Sequence, residues 1–125
     1  MKSISSKKLK GNILIPGDKS ISHRLVILSS IAIGRSNIKG LLKSDDIMKN
    51  IEAMQNFGAS IEFTNPFNCS IKGVGLGGLS EPKSALDFGN SGTSARLIMG
   101  LSASHPITTI FAVSYTHLRA HETAY

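Results

Sequence analysis

The sequence predicts an α/β (α+β) domain, a sheet packed by helices on one face. Two observations predict the class: apolar residues switch repeatedly between a period of two and a period of three to four, and glycine-containing polar turns separate the segments. A third bounds the size. With 125 residues, 41% of them hydrophobic, and a mean hydropathy of +0.06, the chain has apolar surface for one modest core and is not a disordered linker.

The elements follow in order. Leu9 to Ile15 is expected as a strand closed by the turn pair Pro16-Gly17, and Ser22 to Ile33 as a helix, with Leu25, Val26, Leu28, Ile31 and Ala32 at helical spacing and Gly34 past its end. Ser36 to Leu42 alternates as a strand. Ser44-Asp45-Asp46 then supplies N-cap chemistry and negative charge for a second helix, whose Ile47, Ile51, Met54 and Phe57 form one apolar face before Gly58 ends it. Ser60 to Thr64 and Cys69 to Val74 are expected as strands joined by Asn65-Pro66-Phe67-Asn68. After a glycine-rich connection the pattern restarts: strand Leu86 to Phe88, turn Gly89-Asn90-Ser91-Gly92, helix Thr93 to Ala103, and strand Ile107 to Val113.

Several classes drop out. A lone Cys69 cannot form an intrachain disulfide, which favours a reducing, cytoplasmic setting, and without a cation near it in sequence it is expected as a packed residue rather than a nucleophile. No segment has the length and hydropathy of a signal peptide or a membrane span, and neither G-x-G-x-x-G between strand and helix nor a P-loop occurs. No metal-ligand cluster is expected. The net charge of +6 is local: residues 1 to 24 hold Lys2, Lys7, Lys8, Lys10, Lys19 and Arg24 against Asp18 alone. Positive charge without interleaved aromatic residues fits a small-anion site better than a nucleic-acid surface.

Two segments share one design, a strand, a small polar turn with glycine, then a helix: Pro16-Gly17-Asp18-Lys19-Ser20-Ile21-Ser22-His23-Arg24 and Gly89-Asn90-Ser91-Gly92-Thr93-Ser94-Ala95-Arg96. Each offers backbone N–H groups and the positive end of a helix dipole to an anion. Each adds cations and hydroxyls. Lys19, Ser20 and Arg24 on one, Thr93 and Arg96 on the other, suit a substrate with several anionic groups. The plainer alternative is that the Ser and Asn residues are N-caps and the arginines solvated; two such segments together favour function. His23 is expected to point to solvent. Asp45-Asp46 is assigned capping and no catalysis.

These two segments, with Leu86-Asp87-Phe88 before the second and Leu97 after it, resemble the N-terminal signatures of the 5-enolpyruvylshikimate-3-phosphate synthase (3-phosphoshikimate 1-carboxyvinyltransferase) family. Gly40-Leu41-Leu42, Ser44-Asp45-Asp46 and Phe57-Gly58-Ala59 fit as well, so the resemblance spans about residues 9 to 112. It implies repeated βαβαββ units of the enolpyruvyl transferase fold, here truncated. Residues 1–19 would be a strand of the second domain, residues 20–112 part of the first, and residues 113–125 an unrelated tail.

The activity implied is transfer of the enolpyruvyl group of phosphoenolpyruvate to the 5-hydroxyl of shikimate 3-phosphate, releasing phosphate, in chorismate and aromatic amino acid biosynthesis. By the resemblance Lys19 would be catalytic and contact both substrates, Ser20 and Arg24 would hold shikimate 3-phosphate, and Gly92 would lie against phosphoenolpyruvate. Asn90, Thr93 and Arg96 would support the second anion loop. No metal or organic cofactor, no nucleic acid and no membrane are expected as partners, and the full-length form would be a cytoplasmic monomer. The later carboxylates, arginines and lysine of the family have no counterpart here, so this chain alone would not turn over. Two other readings are a UDP-N-acetylglucosamine enolpyruvyl transferase-like enzyme, disfavoured by Ser20 where that family has Asn, and a non-catalytic truncated anion-binding module.

Overall fold

The computed structural model describes Ser3, Ser5, residues 8–13 and residues 15–113. The expected foreign tail from residue 114 onward, with Lys2 and Lys7, lies outside the described residues. Eight elements run α1 (Lys19–Ile31), β1 (Arg35–Ile38), α2 (Asp45–Asn56), β2 (Ser60–Asn65), β3 (Asn68–Lys72), β4 (Leu86–Asp87), α3 (Gly92–Ser102) and β5 (Phe111–Ala112). β1, β3 and β2 form an antiparallel sheet in that order; β4 and β5 pair in parallel around the α3 crossover.

The register explains why the helices take one face. Ser36 and Ile61 lie opposite Ile71, and Ile38 and Phe63 opposite Cys69, so these six side chains share a face and all but Ser36 join the core. The other face carries Arg35, Asn37, Ser60, Glu62, Ser70 and Lys72. There Arg35 Nη1 donates to Ser70 Oγ at 2.8 Å.

α2 is the central helix. Ser44 Oγ accepts the Ile47 N–H, Asp45 and Asp46 occupy the first turn, and Ile47, Asn50, Ile51, Ala53 and Met54 are buried. It packs on α1 and β2, and also touches α3 and β4, which joins the βαβ unit to the three-stranded sheet. Fully buried Phe57, Phe88, Ile47 and Ile71 anchor that core, each contributing about 1.5–3 kcal/mol by removing apolar area from water. Phe88 also stacks on Phe111 at 5.6 Å, tying β4 to β5.

α1 starts three residues earlier than the apolar periodicity indicated. Asp18 is its N-cap, accepting the Ile21 N–H at 2.8 Å, so Lys19 and Ser20 lie in the first turn. Its inward face is small and polar: Ser22, His23, Val26, Ser29 and Ser30 are buried, while Ile21 and Leu28 stay about 60% exposed (60% and 59%). Small residues allow close approach. The 73–75 segment crosses the end of α1 so tightly that a Cβ on Gly73 would sit 2.1 Å from the Ala32 carbonyl oxygen. Val74 and Gly75 donate there to Ser30 O and Ala32 O, satisfying carbonyls that a helix end leaves open.

Three strand expectations are corrected. Within Leu9–Ile15 none of the described residues is in a strand, and Leu9, Ile13 and Ile15 are 80–90% exposed, because no neighbouring strand pairs with them. β1 ends at Ile38 rather than Leu42, since Gly40 turns the chain at φ 73°. Of Ile107–Val113 only Phe111–Ala112 pairs, because its partner β4 is itself two residues long. Among the described residues no helix is long and apolar enough to cross a membrane.

Candidate functional site

The first turns of three helices from distant parts of the chain meet at one cleft. Its volume is ≈ 280 Å³ and its lining is Lys19 from α1, Asp46 from α2, Asn90 from the preceding turn, and Gly92, Thr93 and Arg96 from α3. The turn before α3 is held by the strand it leaves: Asp87 Oδ1 accepts the Gly89 N–H at 2.8 Å and Lys49 lies 3.5 Å from its other oxygen. The Gly89 N–H, and then the Lys49 charge, hold the Asp87 carboxyl below its ordinary value. Ser91, fully in the interior, caps α3 by accepting the Ser94 N–H at 3.3 Å.

Lys19 and Asp46 form an ion pair at 2.5 Å, their side chains 53% and 29% exposed. Asp46 was assigned only to capping, and it has this second role. One carboxylate among Lys19, Arg96 and three helix N-termini leaves the cleft suited to an anion that competes with Asp46 for Lys19. A second cleft of ≈ 430 Å³ adjoins it through the shared Asp46 and Asn90.

Five sequence-predicted site residues therefore meet: Lys19, Asn90, Gly92, Thr93 and Arg96. Ser20 and Arg24 do not line this cleft. They are exposed along α1, with Arg24 Nη1 donating to Ser20 O at 3.1 Å.

His23 departs furthest from expectation. It is fully buried rather than facing solvent, with Nδ1 3.1 Å from Asn50 Nδ2 and 3.2 Å from Ser94 Oγ. Burial, partly opposed by Asp46, and then the Lys19 and Arg24 charges push its pKa below the ordinary 6.5. The available signal was position: His23, Val26 and Ser30 fall at steps of three and four on the small-residue stripe of α1. Cys69 is buried as expected, and burial pushes its thiol pKa up. No group of three or more potential metal ligands forms among the described residues.

A sheet with helices on one face, and a cleft lined by Lys19, Arg96 and helix N-termini, define an α/β protein with a candidate site for a small anion. The EPSP synthase (3-phosphoshikimate 1-carboxyvinyltransferase) family model matches residues 4–114, and the chain belongs to that family. It is 54% identical over 107 residues to a 3-phosphoshikimate 1-carboxyvinyltransferase of Sphingopyxis alaskensis, covering 86% of this chain and 24% of the relative. A Parvibaculum lavamentivorans protein of the same name is 52% identical over 85% of this chain and 24% of its own length. A solved EPSP synthase from Acinetobacter baumannii superposes with a TM-score of 0.80 at 37% identity, again covering 85% of this chain and 24% of that one. The chain thus spans about a quarter of the length of the relatives it matches.

Proposed function

We propose that the full-length protein transfers the enolpyruvyl group of phosphoenolpyruvate to the 5-hydroxyl of shikimate 3-phosphate and releases phosphate. The observation that carries this reading is the convergence of Lys19 with Gly92, Thr93 and Arg96, more than seventy positions apart in sequence, on one cleft. Lys19 reaches both substrates and is the catalytic residue of this chain. Ser20, next to Lys19, and Arg24, just over a turn along α1, hold shikimate 3-phosphate. Gly92 lies against phosphoenolpyruvate, with Asn90, Thr93 and Arg96 supporting the same anion.

The chemistry asks for charge stabilisation and alignment. The 5-hydroxyl oxygen gives up its proton and bonds to C2 of phosphoenolpyruvate as C3 takes a proton, and the tetrahedral adduct then loses phosphate from C2 and a proton from C3 to restore the double bond. Cations and helix N-termini fixed before the reaction stabilise the phosphate and carboxylate charges, and holding two reactants side by side removes an entropic part of the barrier. Proton transfer requires groups beyond this quarter of the protein. The chain by itself is therefore an anion-binding piece without turnover.

In the same reading, residues 1–19 contribute a strand to a sheet of the second domain, residues 20–112 begin the first, and the protein works in the cytoplasm as a monomer with small-molecule partners only. The exposed Leu9, Ile13 and Ile15 support the first point, since such residues become buried when a strand partner is supplied.

The test is a chimera in which residues 9–112 replace the matching segment of the Sphingopyxis alaskensis relative. Phosphate release that requires both substrates is expected, together with a loss of at least 100-fold in kcat/KM for Lys19→Ala. A folded chimera that releases no phosphate, or a Lys19→Ala chimera with undiminished activity, contradicts the proposal.

A further inference from the structure

We propose that His23 is a positioning residue whose neutral ring, through Asn50 and Ser94, holds the first turns of α1, α2 and α3 in register so that the two anion loops present one site. This rests on the functional reading above. The geometry is carried by sequence offsets as well as distances. His23 lies four residues after Lys19, Asn50 four after Asp46, and Ser94 directly after Thr93. An offset of four returns to the same side of a helix, so each member of the buried network lies one turn behind, or next to, a residue that lines the cleft.

The hydrogen-bond inventory sets the protonation state. Asn50 Nδ2 is a donor only, and it directs its two N–H groups to His23 Nδ1 and to the His23 carbonyl, both at 3.1 Å. With Asn50 in this orientation Nδ1 accepts and the ring proton sits on Nε2, which is buried without a hydrogen-bond partner among the described residues. Ser94 Oγ lies 3.2 Å from both Nδ1 and the Asp46 carbonyl and gives its single proton to one of them at a time. One ring thus ties α1 to α2 and α3, and Ser94 closes the loop back to the residue that pairs with Lys19.

A proton on Nδ1 would set one donor against another at Asn50. The charged groups around the ring are Lys19 and Arg24 on α1 and Asp46 on α2, while α3 faces it with the non-titrating Ser94. Burial and the two cations favour the neutral ring over the opposing effect of Asp46. The sign follows: the unfolded chain binds the extra proton first, so the stability that the neutral ring contributes is full above the ordinary value of 6.5 and declines as pH falls toward the lowered value, where the folded ring itself protonates and the network is lost.

The active chimera provides the test. His23→Leu keeps apolar volume and removes the acceptor, whereas His23→Asn places an amide oxygen at the acceptor's position and does not titrate. His23→Leu is expected to raise KM for both substrates at least tenfold, and His23→Asn to restore both values to within threefold. The acid limb of kcat/KM should shift to lower pH in His23→Asn. Parent-like KM values in His23→Leu, absence of rescue by His23→Asn, or an unmoved acid limb would overturn the proposal. Independently of turnover, the ¹⁵N shifts of the His23 ring at pH 7 should report an unprotonated Nδ1, and a protonated Nδ1 overturns it as well. A chimera silent toward both substrates overturns the functional reading alone and leaves the ring spectrum to decide the positioning role.

Discussion

The balance at Lys19 shows how a single side chain can be held ready for a ligand without being locked. Its ion pair with Asp46 is short but half open to water, and exposed pairs contribute only about 0–1 kcal/mol to stability. Exchange of Asp46 for an incoming anion therefore costs little. Asp46→Asn should change the unfolding free energy of the chimera by less than about 1 kcal/mol. The same substitution removes a negative charge from an anion cleft, worth about 1 kcal/mol at contact distance in water, so the KM for phosphoenolpyruvate should fall several-fold. Steady-state kinetics beside denaturant unfolding check both halves; a KM that rises would show that Asp46 serves chiefly to aim Lys19.

At the scale of elements, caps and small residues position the cleft more than propensity does. Asp18, Ser44 and Ser91 each accept an N–H in the first turn of α1, α2 and α3, and the three first turns surround the site. Asp18→Ala should cost about 0.5–2 kcal/mol in urea unfolding of the chimera, as loss of a helix cap does elsewhere. A change within error would mean that the α1 start is held by packing alone.

The sequence was legible where one local rule acts alone. The α2 face, the Ser44 cap, the 65–68 turn and the α3 start all come through, as do five residues of the cleft. It was not legible where the outcome depends on a distant partner. Among the described residues nothing pairs with the strand expected at Leu9–Ile15, and β5 is limited by the two residues of β4. Helical spacing with Val26 and Ser30 could place His23 on the inner face of α1, but its partners Asn50 and Ser94 lie 27 and 71 positions away and are not local to that pattern. Asp46 hid its second role because capping already explained it.

The whole molecule has a polar seam inside α1 and an apolar stripe outside it. Ile21 and Leu28, together with Leu9, Ile13, Ile15 and Ile33, are large apolar side chains left exposed, the kind of surface through which chains associate. The isolated 125-residue chain should therefore associate as concentration rises, while the chimera, which supplies the rest of the protein, stays monomeric. Sedimentation across a tenfold concentration range checks this; a monomeric isolated chain with a cooperative melt would mean that the stripe needs no cover.

The convergence of two distant helix starts on one anion site is the claim on which the rest stands, and a double-mutant cycle on the chimera tests it most directly. Lys19→Ala, Arg96→Ala and the pair together would be compared by kcat/KM for phosphate release. Residues that share one bound anion should each be needed and should couple by about 0.5–3 kcal/mol, so that the double variant loses less than the two single losses combined. Strictly additive losses, or an Arg96→Ala chimera as active as its parent, would contradict a single shared site.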